Sequence, residues 1–172
     1  GLGRVLRTAR TPGAGSLVVL LGPDDLRPPS DLPKGVRGCV ANPDEPSASV
    51  LRELTAVLHR GHRVLVVGED KAITALSEDH RVEAVPHREL DSLDSGPYGV
   101  LHDPVLGYLG ALGNCGRWHL DWPHVYARST AGGLAFTLLR QDSPRFVDVL
   151  PAGGVRGEIA PCPRHGTPVV RT

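Results

Sequence analysis

The chain of 172 residues has no methionine, only two lysines (Lys34 and Lys71) and no aromatic residue before Tyr98. Each shortage excludes something. With lysine nearly absent, arginine carries the positive charge, and 19 basic residues against 19 acidic ones leave a formal charge of zero. A dominant nucleic-acid surface needs a basic excess, so nucleic acid is not expected as a partner. Three cysteines, Cys39, Cys115 and Cys162, are odd in number and few for a disulfide framework. The longest apolar run, around Leu17–Leu21, falls far short of the roughly 20 residues that span a bilayer. No charged segment leads into a long apolar one, so a soluble, cytoplasmic protein without a membrane partner is the expectation. There is no Gly-x-Gly-x-x-Gly, no P-loop and no Gly-x-Ser-x-Gly elbow. A glycine-rich phosphate cradle and an α/β-hydrolase nucleophile are therefore unsupported.

What is present is unevenly placed. The two Trp, three Tyr and two Phe all lie between Tyr98 and Phe146. The length predicts one domain over residues 16–172, preceded by a flexible arm at 1–15. Within it, 16–97 reads as a scaffold half and 98–172 as an aromatic, His-rich half that carries the chemistry.

Apolar runs and punctuation set the expected elements. Ser16–Leu21, bracketed by Gly15 and Gly22-Pro23, predicts a buried strand. Pro23, Pro28, Pro29 and Pro33 then force a loop. Gly38–Ala41 suits a short second strand. Val50, Leu51, Leu54, Val57 and Leu58 recur at helical spacing up to about His59, after start signals at 42–47 and before a stop at Gly61. Arg63–Val67 predicts a strand, Lys71–Glu78 a helix and Val82–Val85 another strand. Asp103–Leu112 is a helix candidate that its own glycines argue against. Residues 132–140 and 145–150, joined by a turn-rich connector, predict an antiparallel hairpin. The fold class is then α/β: a small, mostly parallel sheet with flanking helices, a C-terminal β-hairpin and an irregular tail.

Parallel crossovers put the loops after Leu21 and Val67 at one carboxyl edge. Asp24, Asp25, Glu69 and Asp70 would gather there, able to hold Mg²⁺ or accept from sugar hydroxyls. Capping and turn formation explain the same residues without a ligand. Residues 63–90 resemble the opening of a response-regulator receiver domain, where an acidic pair follows the first strand; Glu69 and Asp70 take that place. No lysine follows Lys71, so the resemblance implies parallel α/β architecture and not phosphotransfer.

Three constellations fall in the second half. Cys115-x₃-His119 and Cys162-x₂-His165 offer two thiolates and two imidazoles, a tetrahedral Zn²⁺ set. Cys162-Pro-Arg-His165-Gly also resembles the second half of the Rieske iron–sulfur motif, whose Cys-x-His first half has no match in Cys115 and His119. In His119-Leu-Asp121, an extended backbone would turn both side chains to one face, a general-base dyad with His102 and His124 as secondary ligands. Trp118 and Trp122 would frame it with an apolar wall. Finally, Gly107, Gly110, Gly113 and Gly116 recur every third residue, matching neither a helix face nor a strand face.

The functional expectation is a small-molecule-binding protein. As an enzyme it would apply acid–base or metal-assisted chemistry to a polar nucleotide- or sugar-like substrate. His119, Asp121 and His102 would be catalytic. Asp24, Asp25, Glu69, Asp70, Trp118 and Trp122 would bind substrate, and the cofactor would be Zn²⁺ or Mg²⁺. Two alternatives stand beside it. One is an interaction module using the aromatic 98–126 segment on a protein partner or a second copy. The other is a zinc-stabilised domain holding its metal on Cys115, His119, Cys162 and His165.

Overall fold

Residues 1–77, 81–93, 96, 98–140, 146–151 and 154–172 are described by the structure, a computed structural model. The chain divides into two compact units, Gly1–His87 and Arg88–Thr172.

The first unit starts with a helix, α1 (Leu2–Ala9), where the sequence predicts a flexible arm. Leu2, Val5, Leu6 and Ala9 recur at helical spacing and are buried. The cap lies far along the chain. Asp31, in the Pro-rich loop, accepts from the backbone N–H groups of Gly3 (2.9 Å) and Arg4 (3.2 Å), satisfying donors that a helix start leaves open. After α1 come β1 (Leu17–Leu21), β2 (Arg37–Ala41), α2 (Ala48–His59), β3 (Val64–Gly68), α3 (Asp70–Ser77) and β4 (Glu83–Arg88). The strands lie in the order β4-β3-β1-β2, all parallel.

Every residue of β1 and β3 is buried, as unbroken apolar runs require in a sheet covered on both faces. Leu17, Val19, Val64 and Val66 pack with Leu54 and Val57 of α2 and Ile73 and Leu76 of α3. Ser47 caps α2, its hydroxyl accepting from Val50 N–H at 3.4 Å. At the opposite edge from the strand ends, Arg63 and Arg10 both pair with Glu83, at 2.6 Å for Arg10 Nε.

The second unit contains only strands among its described residues: β5 (Val100–Asp103), β6 (Gly107–Leu112), β7 (Trp118–Leu120), β8 (Val125–Thr130), β9 (Gly133–Leu138), β10 (Glu158–Pro161) and β11 (Pro168–Arg171). Strands β10, β11, β7, β6 and β5 pair antiparallel in that order, while β8 and β9 form a separate two-stranded ribbon. The mostly parallel sheet is thus a property of the first unit alone. The Asp103–Leu112 segment, a helix candidate that its glycines argue against, is not helical: it forms the turn and second strand of the β5–β6 hairpin.

Two further expectations change. The tail after residue 150 is not irregular, because β10 and β11 form a hairpin within it. These strands have four residues each, with Pro161 and Pro168 at facing ends, so their strand signal is faint. Of the expected hairpin over 132–150, β9 forms but takes β8 as its ladder partner. The later segment still runs antiparallel beside β9: Phe136 and Val149 exchange both backbone bonds at 2.9 Å, Leu138 N–H donates to the Phe146 carbonyl at 3.0 Å, and Asp148 N–H donates to the Thr137 hydroxyl at 3.0 Å. The expected connector, 141–144, and the first residue of the expected second strand, 145, lie outside the described residues. Phe136, Leu134, Leu101 and Leu109 are completely buried at the centre of this unit, with Trp118 and Leu120 beside them. No helix among the described residues is long and apolar enough to cross a membrane.

Candidate metal centre

Strand β7 is only three residues long and carries His119 at its middle, paired with Ala111 of β6 on one side and Val169 of β11 on the other. Gly110 makes this pairing tight: a Cβ there would sit 2.1 Å from the His119 carbonyl oxygen. The β6–β7 turn brings Cys115 back onto the ring, with Sγ 3.0 Å from His119 Nε2. Because β11 runs antiparallel to β7, the β10–β11 turn reaches the same histidine from the other end of the pair. It delivers Cys162 and His165. Each turn closes on a glycine with positive φ, Gly116 (71°) and Gly166 (70°), a conformation that side-chain-bearing residues rarely adopt.

The result is one cluster. The ligand atoms of Cys115, His119, Cys162 and His165 all lie within 4.8 Å of one another. Tetrahedral Zn²⁺ with its usual bond lengths places S···S about 3.8 Å and S···N about 3.5 Å apart. The two Sγ atoms are 3.8 Å apart, and Cys162 Sγ lies 3.5 Å from His165 Nδ1. A Rieske cluster would put both thiolates on one iron and both imidazoles on the other. Here each sulfur has an imidazole nitrogen beside it, an arrangement that suits a single ion rather than a two-iron cluster.

The surroundings favour ligation. His119 is buried, and its second nitrogen, Nδ1, lies 2.9 Å from Thr167 Oγ1, which fixes the ring with Nε2 toward the thiols. Burial lowers the His119 pKa, and the positive charges of His165 and Arg117 lower it further, favouring the neutral imidazole that a metal needs. Burial opposes ionisation of Cys162. Bonds from the N–H groups of Arg164 and His165 and from the Cys115 thiol, with the Arg117 charge, outweigh that and lower its pKa. Cys39, in the first unit, is the reverse case: burial and the nearby Glu53 push its thiol up to about 11.

The other expected sites are dispersed. With both nitrogens of His119 engaged by Cys115 and Thr167, the ring is not oriented by Asp121. Asp121 opens the turn before β8, accepting from the backbone of His124 and Val125 through its carbonyl, and its carboxylate stands 3.4 Å from His124 Nδ1. The dyad fails because β7 ends at Leu120, so extended geometry does not reach Asp121. His102 lies tilted against Tyr108, with ring centroids 4.9 Å apart, and Asp103 closes the β5–β6 turn by accepting from Val105 and Leu106 N–H. Trp118 belongs to the core, whereas Trp122 is 54% exposed.

Of the acidic residues at the carboxyl edge, Glu69 lines a cavity of about 500 Å³. Asp24, Asp25 and Asp70 are exposed and outside its lining. Every lining residue belongs to the first unit, so the 102–124 segment is not its wall. Asp44, read in the sequence only as a helix-start signal, lines it instead. Thr167 also escaped the sequence reading, since nothing local marks a threonine as a histidine's partner.

No family model, no curated protein and no solved structure matches the chain.

Proposed function

We propose that this chain is a zinc-binding protein whose second unit is clasped by one Zn²⁺ on Cys115, His119, Cys162 and His165. The observation that carries this reading is the convergence of four soft and borderline donor atoms within 4.8 Å. Thiolate and imidazole donors select Zn²⁺ over Mg²⁺, which takes oxygen ligands. Four protein ligands also leave no coordination position for water, which is the pattern of a structural site rather than a catalytic one. The metal would tie the β6–β7 turn to the β10–β11 turn, so that the last strands of the chain are held to the sheet.

The test is the metal content of protein purified without affinity chelation, by elemental mass spectrometry. About one equivalent of zinc is expected, lost in both His119→Ala and Cys162→Ala. Metal-free wild-type protein that still folds would overturn the reading, and metal lost only in His119→Ala would return weight to a His/Asp site. One observation supports a second reading as an interaction module: Trp122 and Tyr126 are 54% and 53% exposed. Exposed aromatics of this kind anchor protein interfaces. Concentration-dependent sedimentation that disappears in Trp122→Ala would favour it.

A further inference from the structure

The zinc clasp leaves the first unit without a role, yet topology and shape there point to one place. From β1 the chain passes to β2 on one side; from β3 it passes to β4 on the other. The loops leaving the carboxyl ends of the adjacent strands β1 and β3 therefore part in opposite directions. In open parallel sheets this switch point is where ligands bind. The cavity of about 500 Å³ lies there, bounded by Leu21, Gly22 and Pro23 at the end of β1 and by Glu69 and Ala72 after β3. Its volume falls within the roughly 300–1,000 Å³ of small-molecule sites.

The lining selects the ligand. Asp44 and Glu69 present two carboxylates, which accept hydrogen bonds and repel phosphate, beside the amide of Asn42 and the imidazole of His87. The chain lacks the glycine-rich cradle that would hold a phosphate. Leu21, Pro23, Pro43 and Ala72 add apolar surface. In doubly wound sheets a carboxylate about 20 residues beyond the first turn accepts from ribose hydroxyls. Asp44, just past β2, stands at that distance from Gly22. We propose that this cavity binds an unphosphorylated nucleoside, with Asp44 and Glu69 accepting from the ribose hydroxyls and the apolar lining receiving the base.

Saturation-transfer NMR and calorimetry on the full chain, with adenosine, guanosine, cytidine and uridine as probes, test this. At least one should bind with a Kd of about 1 mM or tighter, and its 5′-monophosphate should bind at least about tenfold more weakly because of the two carboxylates. Asp44→Asn and Glu69→Gln, both at exposed positions that leave the core alone, should each weaken binding at least about threefold, the scale of one lost hydrogen bond. Ala72→Trp should fill the cavity and abolish binding. The proposal is overturned if none of the four nucleosides binds, if the monophosphate binds as tightly, or if both carboxylate variants bind like wild type.

Discussion

The two units divide the chain almost evenly but are held in different ways. The first has no aromatic residue and needs none. Its strands β1 and β3 are buried along their whole length, and helices supply the second layer of apolar contacts. The second concentrates every aromatic residue, has only strands among its described residues, and gathers two thiols and one imidazole from its turns around the His119 imidazole of β7. A small unit buries a smaller share of its surface, so a core alone stabilises it weakly and a metal is a common supplement. With the proposed zinc in place, one chain would solve the same stability problem twice, once with aliphatic burial and once with coordination chemistry.

Removing the metal is the hardest blow to this contrast. Structural zinc contributes folding free energy directly, about 10 kcal/mol or more in isolated zinc modules. Chelation, or Cys162→Ser, should therefore unfold or loosen the second unit and spare the first. Both tryptophans lie in the second unit, so their near-ultraviolet circular dichroism reports on it alone. Hydrogen exchange at β1 and β3 amides reports on the first. Chelation that leaves the tryptophan signal and its melting unchanged would dissolve the comparison.

The reciprocal experiment is a cavity in the aliphatic core. Leu54 is completely buried against the sheet. Leu54→Ala should cost about 2–5 kcal/mol and accelerate exchange at β1 and β3, with or without chelator. A cost that vanishes in metal-free protein would mean that the two units are not stabilised independently.

How legible each half was follows from the same physics. Strands β1 and β3 and helix α2 could be read locally, because continuous burial and a helical stripe leave their mark in consecutive residues. The candidate metal ligands were legible as chemistry, since Cys-x₃-His and Cys-x₂-His name their donors. Their meeting was not, because it depends on β7 pairing with β11, about 50 residues away. The strands β7, β10 and β11, three or four residues long, give no periodicity to count. The every-third glycines were visible but unexplained until the hairpins showed why: a turn at Gly107, a close approach at Gly110, the His119 ring beside Gly113 and a turn at Gly116. Helix α1 replaces the expected flexible arm: its stripe of Leu2, Val5, Leu6 and Ala9 spans only two turns, and its cap at Asp31 comes from far along the chain.

A finer cut separates ligation from orientation. Thr167 touches His119 at Nδ1 and donates nothing to the cluster itself. If its role is to hold the ring, Thr167→Val should lower zinc affinity about 10–100-fold, measured by competition with a chromophoric chelator. Thr167→Ser should restore most of it. Unchanged affinity in the valine variant would show that β7 pairing alone orients the imidazole.

The smallest effect tests the first unit through its one distant cap. Burial raises the Asp31 pKa, but the N–H groups of Gly3 and Arg4 and the positive charges of the amino terminus and Arg4 outweigh it, so the carboxyl titrates below its ordinary 3.8. A folded-state pKa lower than the unfolded one stabilises the fold above the unfolded value, and that contribution disappears as pH falls through the folded one. Asp31→Ala should therefore cost roughly 1 kcal/mol near neutral pH, as for other lost caps. The gap from wild type should close below about pH 4. Asp31→Asn keeps a capping oxygen without the charge, so it should lie between the two and show a flatter pH dependence. The readout is exchange at the α1 amides, with the second unit's tryptophan signal as the internal control. If the alanine gap stays constant down to pH 3, the carboxylate is not what anchors α1, and burial of Leu2, Val5 and Leu6 holds the helix by itself.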